Sequence, residues 1–303
     1  MSKVAAVVVT FNRLGELKKN IEMLRRQSRT LDAIYVVDNA STDGTDFYLT
    51  ELAKEQAQVI PCRLERNVGG AGGFSYGLER AALDGFNWIW LMDDDGRPLS
   101  EQTLEALLNV AEKESNYSIV NCNVLCDGSA LSFNIGTPYL TLEEQRKNIP
   151  SGLIENSACV FNGSLVGREV YEKLGTIRKE YFIRGDEVEF LMRCKNNGVK
   201  ILTVVESLYY HPRSEYVRLS FFGKKFDYER MSLWKQFFLV RNYVATYCTT
   251  ANEKQKRTIK RGLELILLGV ILHERSLSRL VYLLRAIWEG KKGIFDNRFR
   301  GRK

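Results

Sequence analysis

Asp93-Asp94-Asp95 closes the apolar run Trp88-Ile89-Trp90-Leu91-Met92. Neighbouring carboxylates repel and raise one another's pKa values, so a buried strand that ends in three of them must offset that cost. A divalent cation does so: oxygen donors gathered at one spot suit Mg2+ or Mn2+, which bridge in turn to phosphate oxygens. Alternate residues of an extended segment point the same way, so Asp93 and Asp95 are expected to face the metal and Asp94 to face elsewhere, toward a ribose or sugar. An acidic turn capping the next helix is the plain alternative, and the place of the triplet at the end of a buried strand weighs against it. A second cluster, Arg184-Gly185-Asp186-Glu187-Val188-Glu189, offers carboxylates suited to general-base work on a hydroxyl. Charge complementarity at a helix N-terminus accounts for their presence as well. His211, one of 2 histidines, closes an apolar strand-like run; its imidazole suits Mn2+ as a third ligand, with a purely structural role as the alternative.

The elements that must position these groups are legible upstream. Residues 4–9 form a β-branched apolar run that meets Thr10-Phe11-Asn12-Arg13, and 14–27 then show helical spacing of Leu14, Leu17, Ile21 and Leu24. A second strand, 33–37, stops at Asp38-Asn39-Ala40-Ser41-Thr42-Asp43-Gly44, a cluster of turn and cap formers, before a helix at 45–54. A third, 59–64, meets Arg66-Asn67-Val68-Gly69-Gly70-Ala71-Gly72-Gly73 and another helix. Strands alternating with helices and nearly all apolar predict a parallel, doubly wound α/β sheet covered on both faces, with ligands beyond the carboxyl ends of its strands. Thr10, Asp38, Asn67, Gly70 and the Asp triplet all fall at such ends. The Gly-rich stretch is no dinucleotide fingerprint, because Gly70-x-Gly72-x-x-Ser75 lacks the third glycine and comes after the third strand. A loop whose backbone approaches a diphosphate remains the reading. After a helix at 101–113 the pattern turns β-like at 118–125 and 157–166; from 231 onward it reads as helices at 234–247, 254–272 and 277–289.

With 303 residues, 45% of them hydrophobic, the chain can bury one sizeable core plus an appendage. We expect a catalytic domain at 1–212, its halves 1–100 and 101–212, and a basic, largely helical extension at 213–303. The net charge of +7 is uneven: 213–303 hold 21 Lys and Arg against 8 Asp and Glu. Such a tail suits an anionic partner, a membrane leaflet above all. Its apolar run at 263–272 is half the length of a membrane span, which leaves two readings open: an interfacial anchor, or helices that pack on the core or on a second subunit as a homo-oligomer contact. The 6 cysteines are scattered, without a CxxC, and predict free thiols rather than zinc or disulfides. The N-terminus lacks the pattern of a signal peptide, so a cytoplasmic chain, peripheral at the inner face of the cytoplasmic membrane, is expected.

The motifs around Thr10-Phe11-Asn12-Arg13, Asp38 to Thr45, Arg66-Asn67-x-Gly69-Gly70-x-Gly72-Gly73 and Asp93-Asp94-Asp95, in that order, resemble glycosyltransferase family 2, of the GT-A fold, over residues 3–212. The triplet, the glycine loop and Phe182-Ile183-x-Gly185-Asp186-Glu187 look most like its galactofuranosyltransferase and rhamnosyltransferase branch, and the likeness extends weakly to Leu239-Val240-Arg241-Asn242-Tyr243. The resemblance implies an inverting, metal-dependent transferase with Mn2+ or Mg2+. Its donor would be UDP-galactofuranose or a nucleoside-diphospho-rhamnose, and its acceptor a lipid-linked or oligosaccharide glycan of the bacterial cell surface. It places the nucleoside at Thr10, Asn12, Arg13, Asp38 and Asn67, with Asp38 at the uracil. It places the metal at Asp93, Asp95 and His211, the base at Glu187, and the acceptor against Asp186. Glu187 stands where the family usually has Asp, and Gly185 where a Trp often stands, which leaves the choice between Asp186 and Glu187 as base open. Two rivals fit less well. A nucleotidyltransferase would want a Gly-rich basic loop after the first strand, which residues 10–15 do not supply, and a nucleic-acid binder leaves both acidic clusters without a purpose.

Overall fold

The structure, a computed structural model, describes residues 2–133 and 135–296. The chain divides into two compact units, Met1–Ile177 with Asn197–Arg213, and Arg178–Asn196 with Ser214–Lys303.

In the first unit β-branched and aromatic runs become β1 (Val4–Thr10), β2 (Ala33–Asp38), β3 (Val59–Arg63) and β4 (Trp88–Asp93). Helices α1 (Leu14–Arg25), α2 (Thr45–Glu55) and α3 (Gly69–Leu83) connect them. These strands pair in parallel in the order β3-β2-β1-β4, with Pro61 on the edge strand where a missing N–H is tolerated. Helix α1 buries Leu17, Ile21 and Leu24 against Val4, Ala6 and Val8 in one core cluster. The remaining elements are β5 (Arg97–Pro98), α4 (Thr103–Ala111), β6 (Ser118–Leu125), α5 (Leu142–Asn148), β7 (Leu153–Glu155), β8 (Asn162–Gly167), α6 (Arg168–Leu174) and β9 (Lys200–Tyr210).

The α/β sheet of the GT-A kind is present and continues through β4-β8-β6-β9-β5, where β8 runs antiparallel to both its neighbours and β6 and β9 are parallel. The strand expected at 157–166 begins only at Asn162. Phe161 and Gly163 take left-handed backbones (φ 71 and 77), and the β4–β8 register slips between Leu91 and Met92. In β9 the register against β6 jumps from Val204 to Leu208, so Val205, Glu206 and Ser207 form a bulge in a strand that otherwise runs unbroken to the residue before His211.

The second unit holds α7 (Asp186–Asn196), the hairpin β10 (Tyr216–Phe221) and β11 (Lys224–Glu229), then α8 (Leu233–Thr249), α9 (Glu253–Gly269) and α10 (Leu277–Lys292). The three predicted helices are there, with a π turn at Val270–Glu274 closing α9. The extension is largely helical, and ahead of its helices stands a hairpin that the sequence reading did not single out: alternation of Val217, Leu219 and Phe221 up to Gly223 is a strand pattern. Residues 178–196, read from sequence with the first domain, cluster with this unit. The reason is local: Asn196 donates to the Thr250 carbonyl at 2.8 Å, and buried Glu189 accepts from Thr250 at 3.0 Å. Gly290 lets α10 close on α8, where any Cβ would meet the Arg241 carbonyl. Among the described residues no helix is long and apolar enough to cross a membrane.

Candidate active site

Parallel register sets the first unit's site. Thr10 lies beside Asp38, and Val9 beside Asp93, so the predicted residues of three strands share one sheet edge. The strand ends at Asp93, and the turn that follows separates the triplet. Asp93 and Asp95 come together with His211, their ligand atoms all within 4.8 Å of one another. Asp94 turns the other way, where its carboxylate accepts from the Thr10 hydroxyl at 2.8 Å and from the Phe11 amide at 3.3 Å. Burial pushes the Asp94 carboxyl up to about 6 against these bonds and the nearby Arg13. Arg13 pairs with Asp95 and stands 3.5 Å from Asp94, so part of the triplet's charge is neutralised within the protein.

His211 comes directly after β9, whose Tyr210 pairs with Arg97 of β5, and this antiparallel step returns the chain to the triplet. Its Nδ1 lies 2.7 Å from the Pro212 carbonyl. A carbonyl only accepts, so Nδ1 donates to it, and Nε2 is the nitrogen that stands on the side of the acids, 3.5 Å from Asp95. Two carboxylates and one imidazole nitrogen so arranged fit Mn2+ or Mg2+.

Asp38 is buried, and each of its oxygens has one partner: one accepts from the Ser41 amide at 2.9 Å, the other from Arg63 at 3.0 Å. Asn12 takes a left-handed backbone (φ 53) and accepts from the Thr42 amide at 2.7 Å, joining the loops after β1 and β2. Asn67 accepts from the Gly69 amide at 2.8 Å and so opens α3. The glycines expected in a loop stand instead in the first turns of α3, which begins at Gly69, and they divide by role. A Cβ on Gly73 would lie 2.5 Å from Val9, so this glycine lets α3 press on β1, whereas a Cβ on Gly70 would meet open space.

Several residues of this site were not foreseen. Asn20, fully buried on the apolar face of α1, donates to the Gly96 carbonyl at 2.6 Å and to that of Asp93 at 3.4 Å, tying down the turn that carries the acids. Its signal was a polar residue within the Leu17–Leu24 stripe. Asn39 joins the end of β2 to the glycine loop through Gly69 and Val68. Arg63 ends β3 in register with Asp38.

In the second unit Asp186 and Glu187 begin α7, Asp186 buried and Glu187 half-buried. Burial, with the charges of Glu187 and Glu229 nearby, lifts the Tyr243 hydroxyl above its usual range. Glu189, two residues on, is another matter. It is fully buried and bonded by Arg178 at 3.2 Å, Arg193 at 3.0 Å and Thr250, a structural ion network. The turn before α7 is strained: Phe182, Arg184 and Gly185 have φ of 65, 63 and 83. For a non-glycine residue a left-handed backbone costs roughly 1–2 kcal/mol.

Comparison with known proteins agrees with this geometry. The family model described as Glycosyl transferase family 2 matches residues 5–175. The chain is 36% identical over 216 residues to galactofuranosyltransferase GlfT1 of Mycobacterium tuberculosis, covering 69% of this chain and 70% of that one. It is 24% identical to the dTDP-rhamnosyl transferase RfbF of Shigella flexneri, over 66% of each. Among solved structures, residues 1–349 of S. aureus TarS in complex with UDP-GlcNAc superpose with a TM-score of 0.65 at 15% identity, covering 96% of this chain and 81% of that one. The chain spans 49% of the longer TarS structure.

Proposed function

The chain belongs to glycosyl transferase family 2 and is a glycosyltransferase, and from that premise we propose that it moves galactofuranose from UDP-galactofuranose to a lipid-linked glycan acceptor of a bacterial cell surface, with inversion at the anomeric carbon. The observation that carries this reading is the Asp93, Asp95 and His211 cluster at the same sheet edge as Thr10 and Asp38. The likeness to GlfT1 supports the choice of sugar. The likeness to RfbF, at 24% identity, keeps a rhamnosyl donor as the second reading.

In this proposal Thr10, Asn12, Arg13, Asp38, Asn67, Gly70 and Asp94 bind the nucleotide half of the donor. Each Asp38 oxygen retains a lone pair for the base beyond its bonds to Ser41 and Arg63. Asp93, Asp95 and His211 hold a divalent cation, which when bound neutralises charge on the leaving diphosphate. Glu187 takes the proton of the acceptor hydroxyl while Asp186 orients that acceptor, and the oxygen bonds to the anomeric carbon as the bond to the diphosphate breaks. One displacement inverts the centre.

The acceptor reading implies a membrane, and α10 offers a surface for one. Leu277, Val281, Leu284 and Trp288 are exposed at spacings of 4, 3 and 4, one continuous stripe. Arg275, Lys291 and Lys292 are exposed at its ends. An apolar stripe rimmed by cations suits the interface of an anionic leaflet. Because α10 also packs on α8 through Leu283 and Ala286, substitution of the stripe is a cleaner test than removal of the helix. Leu277→Gln with Leu284→Gln should abolish co-sedimentation with anionic vesicles while leaving turnover of a soluble acceptor intact. Unchanged sedimentation, or conversion of a dimer to a monomer, would assign the stripe elsewhere.

The sugar is tested by offering UDP-galactofuranose and dTDP-rhamnose to the protein with Mn2+ and following product stereochemistry by NMR. Transfer of galactofuranose with inversion is expected. Turnover of the rhamnosyl donor alone would replace the reading.

A further inference from the structure

The turn before α7 holds positive-φ backbones that Phe182 and Arg184 do not choose for themselves; the Ile183 amide closes its first step on the Tyr181 carbonyl at 2.8 Å, and one side chain ties the rest of it together. Asn242, fully buried in the middle of α8, directs its amide nitrogen at three stations of that turn: the carbonyls of Tyr181 at 2.9 Å, Ile183 at 3.2 Å and Arg184 at 2.6 Å. Two N–H bonds are shared among three acceptors, so the carbonyls must converge on one point. That convergence goes with the positive φ at 182 and 184.

Arg241 fixes the amide. Its Nε donates to the Asn242 side-chain oxygen at 3.0 Å, and its Nη2 donates to the Tyr181 carbonyl at 3.1 Å. The oxygen is thereby engaged, and the nitrogen is left to face the turn. A guanidinium this deeply buried is costly to keep, and here its bonds converge on the backbone that leads into the acids. Gly185 completes the device: at φ 83 a Cβ there would lie 3.1 Å from the Asn242 Cβ. The glycine that departs from the family's frequent Trp is the residue that the close approach of α8 admits.

We propose that Asn242, oriented by Arg241, is a positioning residue for the transfer step: it sets the Phe182–Gly185 turn and through it the aim of the first-turn carboxylates Asp186 and Glu187. Strain of this type persists only where surrounding structure enforces it, and it gathers where aim matters. The proposal rests on the reading of Glu187 as the base. Misplacing a reacting group by about 1 Å costs on the order of 100-fold in rate.

The test compares Glu187→Gln, Asn242→Ala, Asn242→Ser and the double variant Asn242→Ala with Arg184→Gly, reading kcat, the pH profile of kcat, and UDP affinity in Mn2+. Asn242→Ala should lose about 100-fold in kcat with UDP affinity within about twofold and the acid limb of the profile displaced. Asn242→Ser, which keeps one donor, should fall between this variant and the parent; it also serves if the alanine variant does not fold. Arg184→Gly should recover part of the loss, because glycine adopts the left-handed turn without enforcement. Turnover lost in Glu187→Gln but within about threefold of the parent in both Asn242 variants would overturn the proposal alone. Loss of UDP affinity in parallel with kcat, unrelieved by Arg184→Gly, would reduce Asn242 to a folding residue and overturn it as well. Turnover surviving in Glu187→Gln would remove the base reading itself, and the proposal with it.

Discussion

At the end of β4 parallel register places Asp93 beside Val9, and a short turn then sets Asp95 toward His211 and Asp94 toward Thr10, whereas at the start of α7 two carboxylates come after a turn in which three of four residues are left-handed. The first arrangement draws its accuracy from the sheet end and from the bonds of Thr10, Phe11 and Asn20 to the turn that follows it. The second draws it from a side chain about 60 residues further along.

The contrast is sharpest between Glu187 and Glu189, neighbours on α7 with different duties. Glu187→Gln should lower turnover about 1000-fold, within the usual range for a general base, and leave the melting temperature and UDP affinity near the parent values. Glu189→Ala removes the buried carboxylate that the partly exposed Arg193 and Arg178 share and should cost about 1–3 kcal/mol of stability, read as a fall in the denaturation midpoint. If Glu187→Gln unfolds the protein and Glu189→Ala merely slows it, the two roles have been assigned the wrong way round.

The sheet side is probed by Gly73→Ala. A methyl group there meets Val9 at 2.5 Å, which should push α3 from β1 and cost about 1–3 kcal/mol, with weakened UDP binding because α3 carries the glycine loop. Gly70→Ala, with open space around its Cβ, should leave stability within about 0.5 kcal/mol while still weakening UDP. Equal loss of stability in both would mean that the loop is packing throughout and that its opening toward a ligand is illusory.

The same division separates the parts that were legible in the sequence from those that were not. Alternation sorted Asp93 and Asp95 from Asp94 as the structure has them, although a turn and not an extended segment does the sorting, and the parallel strands were legible from their unbroken apolar runs, a local rule. His211 was visible as a strand end, but its neighbours depend on β9 pairing with both β6 and β5, a long-range fact. The late start of β8 was hinted at by Asn162-Gly163, a turn-forming pair inside a strand pattern. Asn20 and Asn242 left the same mark, a polar residue in the apolar face of a helix, and in each case the partner lies in another segment: Gly96 for one, Tyr181 to Arg184 for the other. The β10–β11 hairpin was hidden by the strong helical periodicity of α8, α9 and α10 beyond it.

The most direct test of the account is the melting temperature of the whole chain with UDP, with Mn2+, with both and with neither, in the parent and in Asp93→Ala, Asp95→Ala and His211→Ala. Ligands that bind only the folded state raise its stability in proportion to their affinity. The account predicts a rise with UDP and Mn2+ together that exceeds the sum of the separate rises and is lost in each of the three variants. Full stabilisation by UDP without Mn2+, or an undiminished response in all three variants, would contradict it.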